Sequence, residues 1–150
     1  MRGRLSGWPH AAAAAAILLL DRLTKAWALK SLLPVGEIPL LPFLSLTYVE
    51  NTGIAFGMFR GGNSFLAVLT AGLIGALFWW RRTLPAAERG ARWALTAVLA
   101  GAVGNLYDRL AYGFVVDFVD FKVWPVFNVA DSCITLGALV LAWTLREPAR

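Results

Sequence analysis

Val126 to Leu145 is a run of 20 residues whose only charge is Asp131. A helix needs ~20 apolar residues to cross a bilayer. In hydrocarbon the backbone must pair with itself, so such a run has to be helical. A carboxylate at membrane depth is costly unless it is paired, protonated or facing water, which marks it as a functional-site candidate. Asp117 lies just upstream, in the short run Val115-Val116-Asp117-Phe118. One short connection brings both carboxylates to the same side of the membrane, where they could do acid–base work on a peptide.

The composition fits this reading. The chain has 150 residues, 59% hydrophobic and 15% charged, against ~45–50% apolar and ~25% charged in a soluble domain. The excess belongs to lipid-facing surface, so one integral membrane domain is expected over 1–150, without a soluble module. The net charge is +5, and eight of the 14 basic residues (Arg2, Arg4, Arg81, Arg82, Arg89, Arg92, Arg146 and Arg150) flank the apolar runs. That is the bias of cytoplasmic loops, so nucleic acid is not expected as a partner. A single cysteine, Cys133, excludes an internal disulfide, and with His10 the only histidine no zinc cluster can be assembled. No metal and no cofactor are expected.

Four spans are expected, at about 9–30, 64–80, 93–110 and 125–145. The first begins in the apolar run Trp8 to Leu20 and continues through Asp21, Arg22 and Lys25. Ala26-Trp27-Ala28 imitates a signal-peptide cleavage site, but the charges ahead of it argue against cleavage. Ser64 to Trp80 carries no charge and is stopped by Arg81-Arg82. Pro125 suits the first turn of the fourth helix, where its missing N–H costs nothing. Arginines at both termini and in the Arg81-to-Arg92 loop place these three segments in the cytoplasm. Loops 31–63 and 111–124 then face outward. Within the first of these, Phe43, Leu44, Leu46, Tyr48 and Val49 are β-prone and Asn51-Thr52-Gly53 signals a turn. The expected architecture is an all-α membrane protein with a small extracytoplasmic β-sheet between spans one and two.

Polar residues concentrate at the outer ends of the spans. Gly101, Gly104, Asn105 and Asp108 share one face of the third span, where the glycines would admit a second helix closely. Packing alone explains the glycines but not Asn105, Asp108 and Arg109. Asp21 and Lys25 sit four apart and can pair, either as a structural ion pair with Lys25 snorkelling or as a device that orders the site. Asn128 and Asp131 share a face at three-residue spacing. Asp131 would lie ~9 Å along a helix begun at Pro125. Converging carboxyls raise one pKa, so the pair would hold one proton at neutral pH. One member can then deprotonate a water while the other polarises a carbonyl. His10 lies near the cytoplasmic end, so an outward Ser–His pair cannot form. Composition leaves open a Ser–Lys dyad of Ser45 or Ser132 with Lys25, but neither serine stands in a recognisable nucleophile context, and Cys133 points away from the Asp131 face.

At these residues the chain resembles the lipoprotein signal peptidases, the signal peptidase II family of bacterial membrane aspartyl peptidases. Asp21-Arg22-Leu23-Thr24-Lys25 resembles its first-span D-x-x-x-K. Glu50-Asn51-Thr52-Gly53-Ile54-Ala55-Phe56 is similar to its N-x-G-x-A-F box. Gly101 to Arg109 resembles G-x-x-G-N-x-x-D-R, and Val115 to Phe118 with Phe127 to Ser132 look like the boxes that bear the catalytic aspartates. Five weak boxes in order are together specific. The resemblance implies Asp117 and Asp131 as the catalytic pair. Asn51, Gly53, Asn105, Asp108, Arg109, Asn128, Asp21 and Lys25 are implied to bind substrate or order the site. Asn51 and Arg109 could hold the substrate's backbone or lipid head-group. The implied substrate is a diacylglyceryl-modified prolipoprotein, cut before its lipidated cysteine by a monomer surrounded by phospholipid in the bacterial inner membrane, with both termini cytoplasmic and the site at the outer leaflet. The connection Val119 to Val126 is shorter than in some relatives.

Two other readings compete. A proton- or ion-conducting subunit would spread acids through the membrane thickness, whereas here they gather at the outer ends and the inner halves read as apolar. A structural assembly factor would use the glycine face but leaves the acids unexplained.

Overall fold

In a computed structural model, residues 7–53 and 62–146 are described. The elements run α1 (Trp8–Trp27), a π-helical turn (Ala28–Leu32), β1 (Glu37–Leu41), β2 (Leu44–Asn51), α2 (Gly62–Thr83), α3 (Arg89–Ala111), β3 (Val115–Asp120) and α4 (Val129–Thr144). Ile54-Ala55-Phe56 of the second motif and the terminal arginines Arg2, Arg4 and Arg150 lie outside the described residues.

α3 is the central helix, packed against α1, α2 and α4. Its small residues explain how it serves three neighbours. A Cβ on Gly101 would come 2.5 Å from the Ala130 carbonyl oxygen, and one on Gly104 would come 2.7 Å from Asp21 Oδ2. Both glycines are therefore required by close approach, and the face inferred from their spacing is the seam to α4 and α1. Among the described elements α2 packs mainly on α3, and Ala67 is its one buried residue. Among the described residues α2 alone is long and apolar enough to cross a membrane by composition. α4 is apolar but only 16 residues long, and α1 and α3 carry Asp21, Arg22, Lys25, Asp108 and Arg109. Large apolar side chains such as Leu19, Leu23, Phe65, Trp79, Leu139 and Trp143 nevertheless point outward, as they do where lipid is the solvent.

The sheet differs from expectation in origin. It is antiparallel with order β1-β2-β3, so its third strand comes from the loop between α3 and α4. Asp117 lies on that strand opposite Val49, and Val115 lies opposite Asn51. Val115 to Phe118 are buried on both faces, which erases the alternation by which a strand is recognised. Ala28 and Leu32 from the π-helical turn pack on Val116 and Phe118, with Leu46, Tyr48 and Val129 around them. The sheet thus rests on the end of α1, and a tighter helix would carry Leu32 off this cluster.

α4 starts at Val129, not at Pro125. Phe127 exchanges backbone hydrogen bonds with Val119 at 3.0 and 2.8 Å, which keeps the preceding segment extended. Asn128, extended at φ −128° and ψ −177°, then caps the helix. Asp131 is consequently in the first turn, and the ~9 Å of helix expected ahead of it does not exist. The helix ends remote from Asp131, expected to be apolar, are not wholly so. His10, Arg81, Arg92 and Thr96 meet at the opposite end of the bundle from Asp131, through hydrogen bonds to the Thr96 hydroxyl and its helix.

Candidate active site

The two carboxylates expected to act together are joined by one residue, Asn128. Its amide nitrogen donates to Asp117 Oδ1 at 2.7 Å, and its backbone N–H donates to Asp131 Oδ2 at 3.3 Å. The Asn128 side-chain oxygen, Oδ1, accepts the Asp131 backbone N–H at 2.8 Å. This reciprocal pair is a capping box, a motif that normally only satisfies a helix end. Here it also sets the side chain of the second aspartate.

Two further asparagines complete the arrangement. Asn51 Nδ2 donates to Asp117 Oδ2 at 2.8 Å, and Asn105 Nδ2 donates to Asp131 Oδ1 at 2.7 Å. Each amide is turned by a group that can only donate. The Gly53 backbone N–H takes Asn51 Oδ1 at 2.7 Å, and the Lys25 ammonium takes Asn105 Oδ1 at 2.8 Å. Gly53 has φ +73°, and a Cβ there would strike the Leu66 side chain. Glycine is thus required on both counts, and the turn it makes aims Asn51. Asn51 and Asn105 are therefore direct hydrogen-bond partners of the two carboxyls, a finer placement than the site-ordering or substrate-binding role that the resemblance implied.

Beneath the asparagines lies an ion cluster. Lys25 Nζ is 2.9 Å from Asp21 Oδ2 and 2.9 Å from Asp108 Oδ2. Lys25 is only 1% exposed, so it does not snorkel, because two carboxylates and an amide already receive its three protons. The Ala130 N–H donates to Asp21 Oδ1 at 3.1 Å, and the Val116 N–H to Asp108 Oδ2 at 3.3 Å. The cluster therefore grips the backbone beside each candidate aspartate. Arg22, which the sequence reading passed over, pairs with Asp108 and with Asp21 and lies 4.6 Å from the centre of the Tyr107 ring. Its adjacency to Asp21 was the available signal. Arg109 is not tied in this way: its carbonyl oxygen accepts from Asn63, and its buried Nε has no hydrogen-bond partner among the described residues.

Lys25 and Arg22 pair with Asp21 and Asp108, while among the described residues Asp117 and Asp131 receive hydrogen bonds only from amides. Asp117 is 1% exposed. Burial pushes its pKa up to about 6, the Asp131 charge adds to this, and the donors Asn51 and Asn128 oppose it. Asp120 belongs elsewhere: it accepts from the Thr47 hydroxyl and from Lys122, which also donates to Glu37, and Lys122 holds both carboxyls below their usual range. Among the described residues no three His, Cys, Asp or Glu side chains are placed to share a metal ion.

A paired-carboxylate centre of this kind, set at one end of a helix bundle with an apolar exterior, has the parts of an aspartic hydrolase. Comparison with known proteins gives the same class. The family model for signal peptidase II matches residues 13–146. The lipoprotein signal peptidase of Thermodesulfovibrio yellowstonii is 43% identical over 135 residues, covering 85% of this chain and 87% of that one. Its counterpart in Caldanaerobacter subterraneus is 44% identical over 131 residues, covering 86% and 90%. A solved structure described as a bacterial membrane enzyme superposes with a TM-score of 0.84 at 28% identity, over 94% of each chain. The chain belongs to the signal peptidase II family, and it is a membrane peptidase.

Proposed function

We propose that this enzyme removes the signal peptide from diacylglyceryl-modified prolipoproteins, with Asp117 and Asp131 as the catalytic pair. The observation that carries the assignment is the Asn128 bridge between two carboxylates that no cation among the described residues contacts in an ion pair. Like charges held this close share one proton and titrate as a unit. The ionised carboxylate takes a proton from water as the hydroxide adds to the scissile carbonyl, and the protonated partner gives its proton to the carbonyl oxygen. Collapse of that intermediate expels the amine, which leaves with a proton returned through the pair. Asn51, Asn105 and Asn128 hold the carboxyls, Gly53 aims Asn51, and Asp21, Lys25 and Asp108 order the cluster behind them. Arg109, with unused donors near the site, is assigned to the substrate's backbone or head-group.

Four spans are proposed on α1 to α4, with both termini and the Arg81-to-Arg92 loop cytoplasmic, as the arginine bias favours. Asp117 then lies at the outer surface of the inner membrane, where a lipidated precursor presents its cleavage site. The substrate helix enters sideways from the bilayer, and the sheet β1-β2-β3 borders the extended segment to be cut. Purified enzyme should be given prolipoprotein with and without the diacylglyceryl group. Cleavage of the modified precursor alone is expected, and equal cleavage of both would overturn the substrate assignment.

A further inference from the structure

The end of the bundle remote from Asp131 holds a second feature, unused by the proteolytic site. α1 and α2 each pack on α3 but not appreciably on each other, which leaves an open groove of about 350 Å³ between them. Its walls are apolar, with Leu18, Ile74, Phe78 and Val103 along its length. On α1 it extends from Gly7 to Leu18, ~16 Å at 1.5 Å per residue, about the depth of one leaflet of a ~30 Å hydrocarbon core.

The mouth of the groove is cationic. Arg81 Nε donates to the Thr96 hydroxyl at 3.2 Å, and Arg92 Nη1 donates to the Leu84 carbonyl at 3.1 Å. These bonds anchor both guanidiniums and leave the terminal Arg81 nitrogens without a hydrogen bond among the described residues. None of the described carboxylates is within ion-pair distance of either arginine. His10 closes the third side, 3.2 Å from the same hydroxyl and with its ring centre 4.0 Å from that of Trp93. An anchored arginine pair at the end of an apolar slot complements a ligand with an anionic head and a long chain. Basic pockets between spans are sites where anionic lipid head-groups bind.

We propose that this groove binds one anionic glycerophospholipid, its phosphate on Arg81 and Arg92 and one acyl chain between α1 and α2. Placing it in the inner leaflet rests on the topology proposed above; the binding itself does not. The lipid fills a gap the helices leave open, so it splints α2, which otherwise packs mainly on α3.

The test uses the full chain in nanodiscs of phosphatidylcholine with or without phosphatidylglycerol, read by thermal unfolding and by native mass spectrometry of retained lipid. Retention of phosphatidylglycerol about tenfold above phosphatidylcholine is expected, as two arginine contacts warrant, with a Tm raised by ~3 °C. Arg81→Gln should abolish both effects, and Arg82→Gln, a neighbouring cation outside the groove, should preserve them. Ala14→Phe fills the slot and keeps both arginines, so it should also lose retention even if Arg81→Gln fails to fold. Equal retention of the two lipids, full retention in Ala14→Phe, or equal loss in Arg82→Gln would each overturn the proposal. So would inorganic phosphate alone producing the same Tm rise. Failure of the proteolytic assignment would leave these lipid readouts untouched.

Discussion

Lys25 donates to Asn105 Oδ1 at 2.8 Å, and Asn105 donates in turn to Asp131 Oδ1 at 2.7 Å. An ammonium has no acceptor, so the amide can face only one way, with its nitrogen toward the carboxylate. A charge on α1 thereby sets the donor that meets an aspartate on α4, by way of α3. The same logic repeats at Asn51, turned by the Gly53 N–H, and at Asn128, turned by the Asp131 N–H. Three asparagines thus present N–H groups to two carboxylates that have no ion-pair partner among the described residues.

Asp117→Asn and Asp131→Asn are each expected to lower cleavage by at least ~10³-fold, since an amide cannot exchange the proton the reaction moves. Both variants should remain folded. Ser132→Ala and Cys133→Ala should stay active. Turnover of the lipidated precursor by each purified variant is the measurement, and a dead Ser132→Ala enzyme would point to a serine mechanism.

The two asparagine partners separate in pH. Asn51 donates to Asp117 and favours its ionised form, so Asn51→Ala removes a stabiliser of the anion and raises the Asp117 pKa above about 6. Proteolysis needs one proton on the pair, so the alkaline limb of the rate profile should move to higher pH while its height falls. Gly53→Ala should reproduce this in weaker form by misaiming Asn51. An unshifted profile in Asn51→Ala would return that residue to substrate contact alone.

Stability carries the same signature. Asp117 is raised in the folded protein, so the folded state holds its proton where the unfolded chain has lost it. This contribution is fully present below the unfolded value and is lost as pH rises through about 6. Between pH 5 and pH 8 the Tm of the parent protein should therefore fall. In Asp117→Asn that part of the fall should vanish, whatever the change in absolute Tm. Thermal unfolding in one detergent at the two pH values is sufficient.

How far the sequence carries can be judged from these residues. Asp21 with Lys25 and the small face of α3 were legible because helical spacing alone places them. β3 was not, because burial on both faces removed its alternation. The start of α4 was misplaced because Pro125 is a plausible first-turn residue, and only the Phe127 pairing with Val119 keeps the chain extended for three residues more. The roles of Asn51 and Asn105 were hidden for a different reason. Which carboxyl an amide meets depends on strand register and helix crossing, neither of which is a local property of the chain.

The buried ion cluster gives a prediction in stability. Lys25→Met removes the cation between Asp21 and Asp108 and leaves two buried carboxylates with Arg22 alone, a loss of ~3–5 kcal/mol. Gly101→Ala should cost ~1–3 kcal/mol by overpacking against the Ala130 backbone. Lys25→Met should also weaken cleavage in whatever protein remains folded, since Asn105 loses the donor that turns it. Normal activity there would remove Lys25 from the positioning chain.

The sidedness of the site can be tested separately. With Cys133 first changed to alanine, a cysteine placed at Asn63 lies by the outer end of α3, where Asn63 now donates to the Arg109 carbonyl at 3.0 Å. A cysteine at Glu88 lies at the start of α3, at the opposite end of the bundle. In cells stripped of any outer barrier, a membrane-impermeant thiol reagent should label the Asn63 position. The Glu88 position should label only after lysis, if the arginine-rich loop beside it is cytoplasmic as proposed. Labelling of Glu88→Cys from outside would put Asp117 and Asp131 on the cytoplasmic face. Exported, lipidated precursors could not then reach the pair, and the proposed substrate would fall with the topology.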